Sequence, residues 1–379
     1  MTREMISIPL RIAVACVILS ATVAAQAPRP ATDAQVISRG WAAIAAGRLD
    51  EAATLADGVL KRKPRSHSAL VLKMEALSGG AKPMTGLDAY EEWLAGAGRR
   101  VDDRGLLEPV AAGMLRMLAT DADPRVRSTA LQSLAASGDT AATEALRKLS
   151  GEGDRTAMLA LVSNGDSSAT AAVQALVEAG TGRDLSAAIE ALAEHGAIPP
   201  PVITAIMKDR VPMNRAAVAR ALGSTTDPAA VSQLEQLSQD PDPLVRTSVT
   251  LARARRGDAK ALADARTLLA SEVPDLRLIA AEALAATLPN ESEQAVRPLL
   301  TNRDGLNRFR AAAIVGRTDP AAVQSVFLEG LADQNPLVQQ EASRLATQTL
   351  PEDLVLLRQL LRHRDRSIVA NAAAAIISN

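Results

Sequence analysis

Arginine is the residue type in this chain whose spacing most suggests chemistry. Arg215, Arg246, Arg277 and Arg308 fall on an interval of 31 residues, with Arg127 an earlier member of the same kind. A row of guanidinium groups at a fixed interval could present planar forks to a carboxylate-rich ligand. It could equally tie the parts of a repeated structure together. Each arginine sits in what should be the first turn of a helix, close to capping aspartates such as Asp123 and Asp242. That placement favours the structural role, and on it Arg246→Ala is expected to cost about 1.5 to 3 kcal/mol in charge-assisted hydrogen bonds without abolishing partner binding. The four arginines remain candidates for a binding surface, together with Trp41, Tyr90 and Trp93. These are three of the chain's five aromatic residues, and aromatic side chains concentrate at interface hot spots. The competing account of Trp41 and Trp93 is that they are the large core fillers of an otherwise alanine-rich stack.

Other chemistries find little support. His67, His195 and His363 are too far apart to share a helix face, and only His195 has an adjacent acid, Glu194; no metal site is expected. No Gly-x-Gly-x-x-Gly, phosphate-binding loop or Gly-x-Ser-x-Gly elbow occurs, so neither nucleotide binding nor serine hydrolysis is indicated. No catalytic residue and no cofactor is expected. The basic cluster Arg358, Arg362, His363, Arg364 and Arg366 reads as a solvated helix end, where cations favour the dipole.

The elements that hold these residues repeat. Pro212, Pro243, Pro274 and Pro336 keep the arginines' interval three residues ahead of them, and a period in this range marks a solenoid whose units bury their apolar faces against their neighbours. Hydrophobic residues make up 47% of the 379 and aromatics 1%, so the interior must be mostly Leu, Ala, Val and Ile. That composition argues against sandwiches and barrels and for helical layers. The expected fold class is all-α, an α-α superhelix of antiparallel helix pairs.

Residues 1–25 read as a cleaved signal peptide: Arg3 and Arg11, an apolar run over 12–25, then small residues. Fourteen or so apolar residues are too few to span a bilayer. The expected location is therefore the periplasm or the exterior, with no membrane span in the mature chain. Cys16 is the only cysteine, which leaves the mature chain without disulfides or thiolate metal sites. Of 42 basic and 43 acidic side chains, loss of Arg3, Arg11 and Glu4 leaves 40 and 42. That balance gives no electrostatic footprint for nucleic acid.

Residues 26–32 form a Pro-rich linker. Residues 33–66 read as a helix, a turn at Gly47-Arg48-Leu49-Asp50 and a second helix that stops before Pro64, and a second such unit spans 66–97. Gly40, Ala52 and Pro64 match positions of a tetratricopeptide repeat, so residues 33–99 resemble that family. Val36, Ala43 and Ala56 depart from it by standing where its large aromatic residues would be.

Residues 105–379 divide into nine helix pairs with a mean length near 31 residues; pairs are expected over 229–239 and 244–255, 260–270 and 275–286, and 321–332 and 337–348. The stretches 121–139 and 240–258 superpose without a gap at an offset of 119. Their Asp-x-x-Pro-x-Val-Arg start and Gly-Asp exit resemble the short HEAT-like repeat also found in phycobilisome lyases. The resemblance covers about 275 residues and is strongest over 199–379; between 140 and 198 the Pro-x-Val-Arg start is missing and the register is open. HEAT-like hydroxylases bind iron through repeated His-Glu dipeptides, which this sequence lacks.

The repeat architecture, taken with the signal-peptide pattern of residues 1–25, points to a non-enzymatic extracytoplasmic scaffold, binding a protein or peptide along a groove on the order of 80 Å long at usual helix spacings. The alternative is a repeat-type enzyme, or an accessory subunit of one, from the lyase-like branch. The last helix, expected over 368–378, carries Ala372 and Ala375 on a face with little charge, so a second copy or a partner is expected to cover it.

Overall fold

The computed structural model describes residues 31–378 except 81, 97–100, 179–184, 195–197, 199 and 226. The signal-peptide segment, Cys16 and His195 lie outside the described residues. Among those described there are 22 α-helices, two short 3-10 helices and no strand, so the chain is all-α.

Two antiparallel pairs come first, α1 (Asp33–Ala45) with α2 (Leu49–Leu60) and α3 (His67–Ser78) with α4 (Met84–Ala95). The small positions of the sequence pattern serve close packing: Ala43, Ala52 and Ala56 are fully buried, and a Cβ on Gly40 would collide with the Leu72 side chain.

Nine further pairs follow. Their first helices are α5 (Arg104–Leu118), α7 (Thr140–Gly151), α9 (Ser167–Glu178), α11 (Pro200–Ile206), α13 (Ala229–Leu237), α15 (Ala259–Leu269), α17 (Pro289–Val296, extended by a 3-10 turn), α19 (Gln324–Leu331) and α21 (Leu354–Leu360). The second helices alternate with them: α6 (Pro124–Ala136), α8 (Arg155–Ser163), α10 (Leu185–Glu194), α12 (Pro212–Ser224), α14 (Pro243–Arg255), α16 (Pro274–Leu284), α18 (Gly305–Val315), α20 (Pro336–Thr349) and α22 (Arg366–Ile377).

Local rules set these boundaries. Pro212, Pro243, Pro274 and Pro336 occupy the first turn of α12, α14, α16 and α20, where a missing N–H costs nothing. Asp123, Asp242, Asp304 and Asp365 cap their helices by accepting the N–H two residues on. The Gly-Asp exit works in two steps: Gly257 takes φ +87°, a conformation that only glycine adopts without strain, and Asp258 then caps α15. The same device at Gly153-Asp154 starts α8 without a proline, and it resolves part of the register that the sequence left open between 140 and 198.

The stack does not end in an open edge. The second helices meet in cyclic order from α6 through α20 to α22, and α22 then packs on both α5 and α6. Every successive pair of second helices packs together, whereas among the first helices of the ring only α7 with α9, α9 with α11 and α15 with α17 make more than marginal contact, so the second helices form the inner layer. The repeat region is therefore a closed ring. Nine units sharing one full turn rotate by about 40° each.

Closure overturns two expectations. The long open groove is instead the inside of a ring. The C-terminal helix is covered by the chain itself: Ala372 is fully buried and Ala375 partly buried against the main core, which α22 joins through α5 and α6. The sequence reading failed here because a solenoid edge and a closing face carry the same apolar pattern; whether the two ends meet depends on accumulated rotation.

Candidate functional site: the ring lumen and its closing joint

The ladder arginines act as fasteners. Arg127, Arg215, Arg246 and Arg308 each donate through Nη1, and Arg277 through Nε, to the carbonyl six residues upstream, at 2.7–3.1 Å. This satisfies a turn carbonyl that no helix bond could reach. Gln339 continues the series by donating to the Asp333 carbonyl.

Ties between units occur at two members. Arg127 reaches Asp154 at 3.1 Å, and Arg215 makes a two-pronged pair with Asp240, both bonds 2.7 Å. Arg215 and Asp240 are both buried, and the guanidinium holds the Asp240 carboxyl below the usual carboxylate range. Arg246 is exposed and bonds only to carbonyls of its own turn, Asp240 and Pro241. Its loss should therefore cost less than the sequence-based figure.

The aromatic candidates cluster at the closing joint. Tyr90 is fully buried; its hydroxyl donates to Asp102 at 3.0 Å and accepts from the Asp103 N–H at 2.8 Å, and its ring meets Trp93 at 5.6 Å. Burial pushes its phenol above the ordinary range. Trp93 is partly buried against the main core, and Trp41 against the smaller core of the N-terminal pairs. The structure thus brings Tyr90 and Trp93 together and leaves Trp41 and the arginine ladder elsewhere.

The closing joint gathers residues that the sequence separates by more than 200 positions. Arg358 donates to Asp102 at 2.8 Å and to Glu91 at 3.3 Å, and Arg362 pairs with Asp88 and Glu91. Arg366 reaches Asp121 at 2.8 Å. Asp121 aligns with Asp240 at the 119-residue offset, so this contact reuses the carboxylate position of the Arg215–Asp240 tie. Arg104 donates to the carbonyls of Ala375 and Ile376, filling acceptors that the last turn of α22 leaves open. Three arginines of the C-terminal basic cluster are therefore partnered across the joint. The 31-residue ladder gave no signal for them.

The inner wall carries its own 31-residue series: Arg220, Leu251, Glu282, Ala313 and Arg344. The first three line a cavity of about 510 Å³ spanning α10, α12, α14 and α16. Arg220 clasps Glu190 at 2.7–3.0 Å, Arg310 clasps Glu282 at 2.8–2.9 Å, and Arg344 clasps Glu341 on its own helix. For a ring of nine helices at usual spacings of about 8–10 Å, each about 10 Å thick with its side chains, geometry gives a passage roughly 15 Å across. Among the described residues, no group of three or more His, Cys, Asp or Glu could hold a metal ion, and no helix is long and apolar enough to cross a membrane.

These features define a class: an all-α repeat protein closed into a ring. Comparison with known proteins agrees with the repeat type. Residues 199–285 match the model for HEAT repeats, and residues 126–151 match that for the PBS lyase HEAT-like repeat. The chain is a HEAT-like repeat protein. No curated protein matches it. Among solved structures it is similar to human deoxyhypusine hydroxylase in complex with glycerol, at 20% identity over 72% of this chain and 97% of that one, with a TM-score of 0.32.

Proposed function

We propose that the protein is a non-enzymatic scaffold that holds one segment of a partner protein or peptide inside its ring. The observation that carries this reading is the closed circuit of second helices. Its wall sets apolar side chains beside ion pairs, and a passage of roughly 15 Å suits a single extended chain or one helix of about 10–12 Å but not a folded domain. Glu190 and Glu282, the acids on the cavity wall, are each engaged by an arginine, which suits a binding surface better than acid–base chemistry. The reading places the ring outside the cytoplasm, on the strength of the signal-peptide pattern in residues 1–25.

A photo-crosslinking residue at Ala313, in the register of the inner wall, should trap a partner segment. The same residue at Val231, which is exposed on a first helix, should not. Equal labelling from both positions would show that the lumen is not the binding surface. Fractionation of cells making the tagged chain tests the compartment: tag recovered only in the cytoplasm, with residues 1–25 still attached, overturns that part.

A further inference from the structure

The cavity on the inner wall has an unbalanced charge. Four charged side chains line it, Glu190, Arg220, Arg255 and Glu282. Glu190 is taken by Arg220, and Glu282 by Arg310 from the neighbouring helix. Arg255, at the end of α14, is exposed and makes no ion pair or hydrogen bond with any described residue. Its neighbours in sequence differ: Arg253 is held by Asp258 and Glu235, and Arg256 by carbonyls of the preceding unit.

Beside Arg255 the cavity is apolar, walled by Met213, Leu244, Leu251 and Ile279, with the serines Ser224 and Ser248 set into that wall. A volume near 510 Å³ with apolar walls and few polar groups is the form of a site for a small ligand or a short chain segment. Among the described residues the unmatched charge is cationic and planar, so the complement is a carboxylate attached to apolar matter.

We propose that this cavity binds the C-terminal end of a peptide, with one or two aliphatic side chains against Leu251 and Ile279 and the terminal carboxylate on Arg255. The assignment rests on the lumen-binding reading above and gives it a ligand class. Ser224 and Ser248 favour a peptide over a plain acyl chain, because their hydroxyls can meet backbone amides and an acyl chain has none.

Calorimetric titration of the whole chain would use two probes, acetyl-Ala-Leu-Leu with a free carboxylate and the same peptide as its C-terminal amide, with sodium dodecanoate as a third arm. The free acid should bind about tenfold more tightly than the amide, the worth of one charge-assisted contact. Arg255→Gln should erase that preference, and Arg255→Lys should restore part of it. Unchanged helicity and melting of the two variants would separate loss of the site from loss of fold. Equal binding of acid and amide, or heat from dodecanoate alone, overturns the proposal. Silence from both peptides while the Ala313 crosslinker still traps a partner segment also overturns it and leaves the lumen reading standing. Silence from both experiments sinks the two together.

Discussion

The joint between α12 and α14 and the joint between α22 and its partners α5 and α6 do the same geometric work by different means. In the first, covalent continuity already holds the units together, and the contact can be close and plain. A Cβ on Gly223 would lie 2.8 Å from Ala252 Cα, so the two backbones nearly touch, and one buried pair, Arg215–Asp240, fixes the register. In the second, no chain connects the faces. The ring must recover the ordering entropy from contacts alone, and it does so with alanines on α22 and an arginine-rich set of long-range bonds from Arg104, Arg358, Arg362 and Arg366. A discontinuous joint needs both an apolar face and a set of directional contacts, because its alternative, the open solenoid, is always available.

The largest effect should come from Ala372→Glu, which places an unpaired carboxylate in the buried closing face. The expected result is an opened ring: a clear increase in maximum dimension by small-angle X-ray scattering with helical circular dichroism retained. A variant with wild-type dimensions would mean that α22 does not close the molecule.

Next in size is Arg215→Ala, which leaves Asp240 buried without its partner and should cost about 3 to 5 kcal/mol. The change should lower the melting temperature while the scattering dimensions of the remaining folded protein stay the same. Opening without destabilisation would reverse the roles assigned to the two joints.

Acid should discriminate between the joints without any mutation. The Arg362 guanidinium holds Glu91 below the ordinary carboxylate range. Backbone bonding from Asp123, aided by Arg366, does the same for Asp121. A depressed folded pKa means stabilisation that is complete above the unfolded value and is lost as pH falls through the folded one. Below about pH 4 the closing joint, which draws on two such acids, Glu91 and Asp121, should loosen before the α12–α14 joint, which draws on one, Asp240, visible as expansion that precedes loss of helicity. The opposite order would refute an electrostatic latch.

The smallest effect is expected for Arg246→Ala. With an exposed side chain bonded only to nearby carbonyls, it should cost about 0.5 to 1.5 kcal/mol and leave ring closure intact by scattering. A loss as large as that of Arg215→Ala would show that Arg246 ties units together after all.

Much of the fold was legible because its causes are local. The 31-residue prolines mark helix starts wherever they occur, and the Gly257-Asp258 exit needs only a residue free to take positive φ and a cap. The arginine ladder was readable as structural, since its hydrogen bonds run six residues upstream. The lumen was less legible. Arg220, Leu251, Glu282, Ala313 and Arg344 keep the same interval as the ladder but differ in type, so only their shared position on the inner layer reveals them as one surface.

What the sequence determined by itself, then, is the unit: helix pairs, their caps, their turns and the apolar stripe by which each meets the next. What only the tertiary structure decided is that nine such units come full circle. Closure depends on a rotation of about 40° per unit, the sum of small packing offsets set by close approaches such as that of Gly223 to Ala252, and no local signal encodes a sum. The same apolar face of α22 that looks like an unfinished edge in the sequence becomes, once the turn is complete, the seat for α5 and α6.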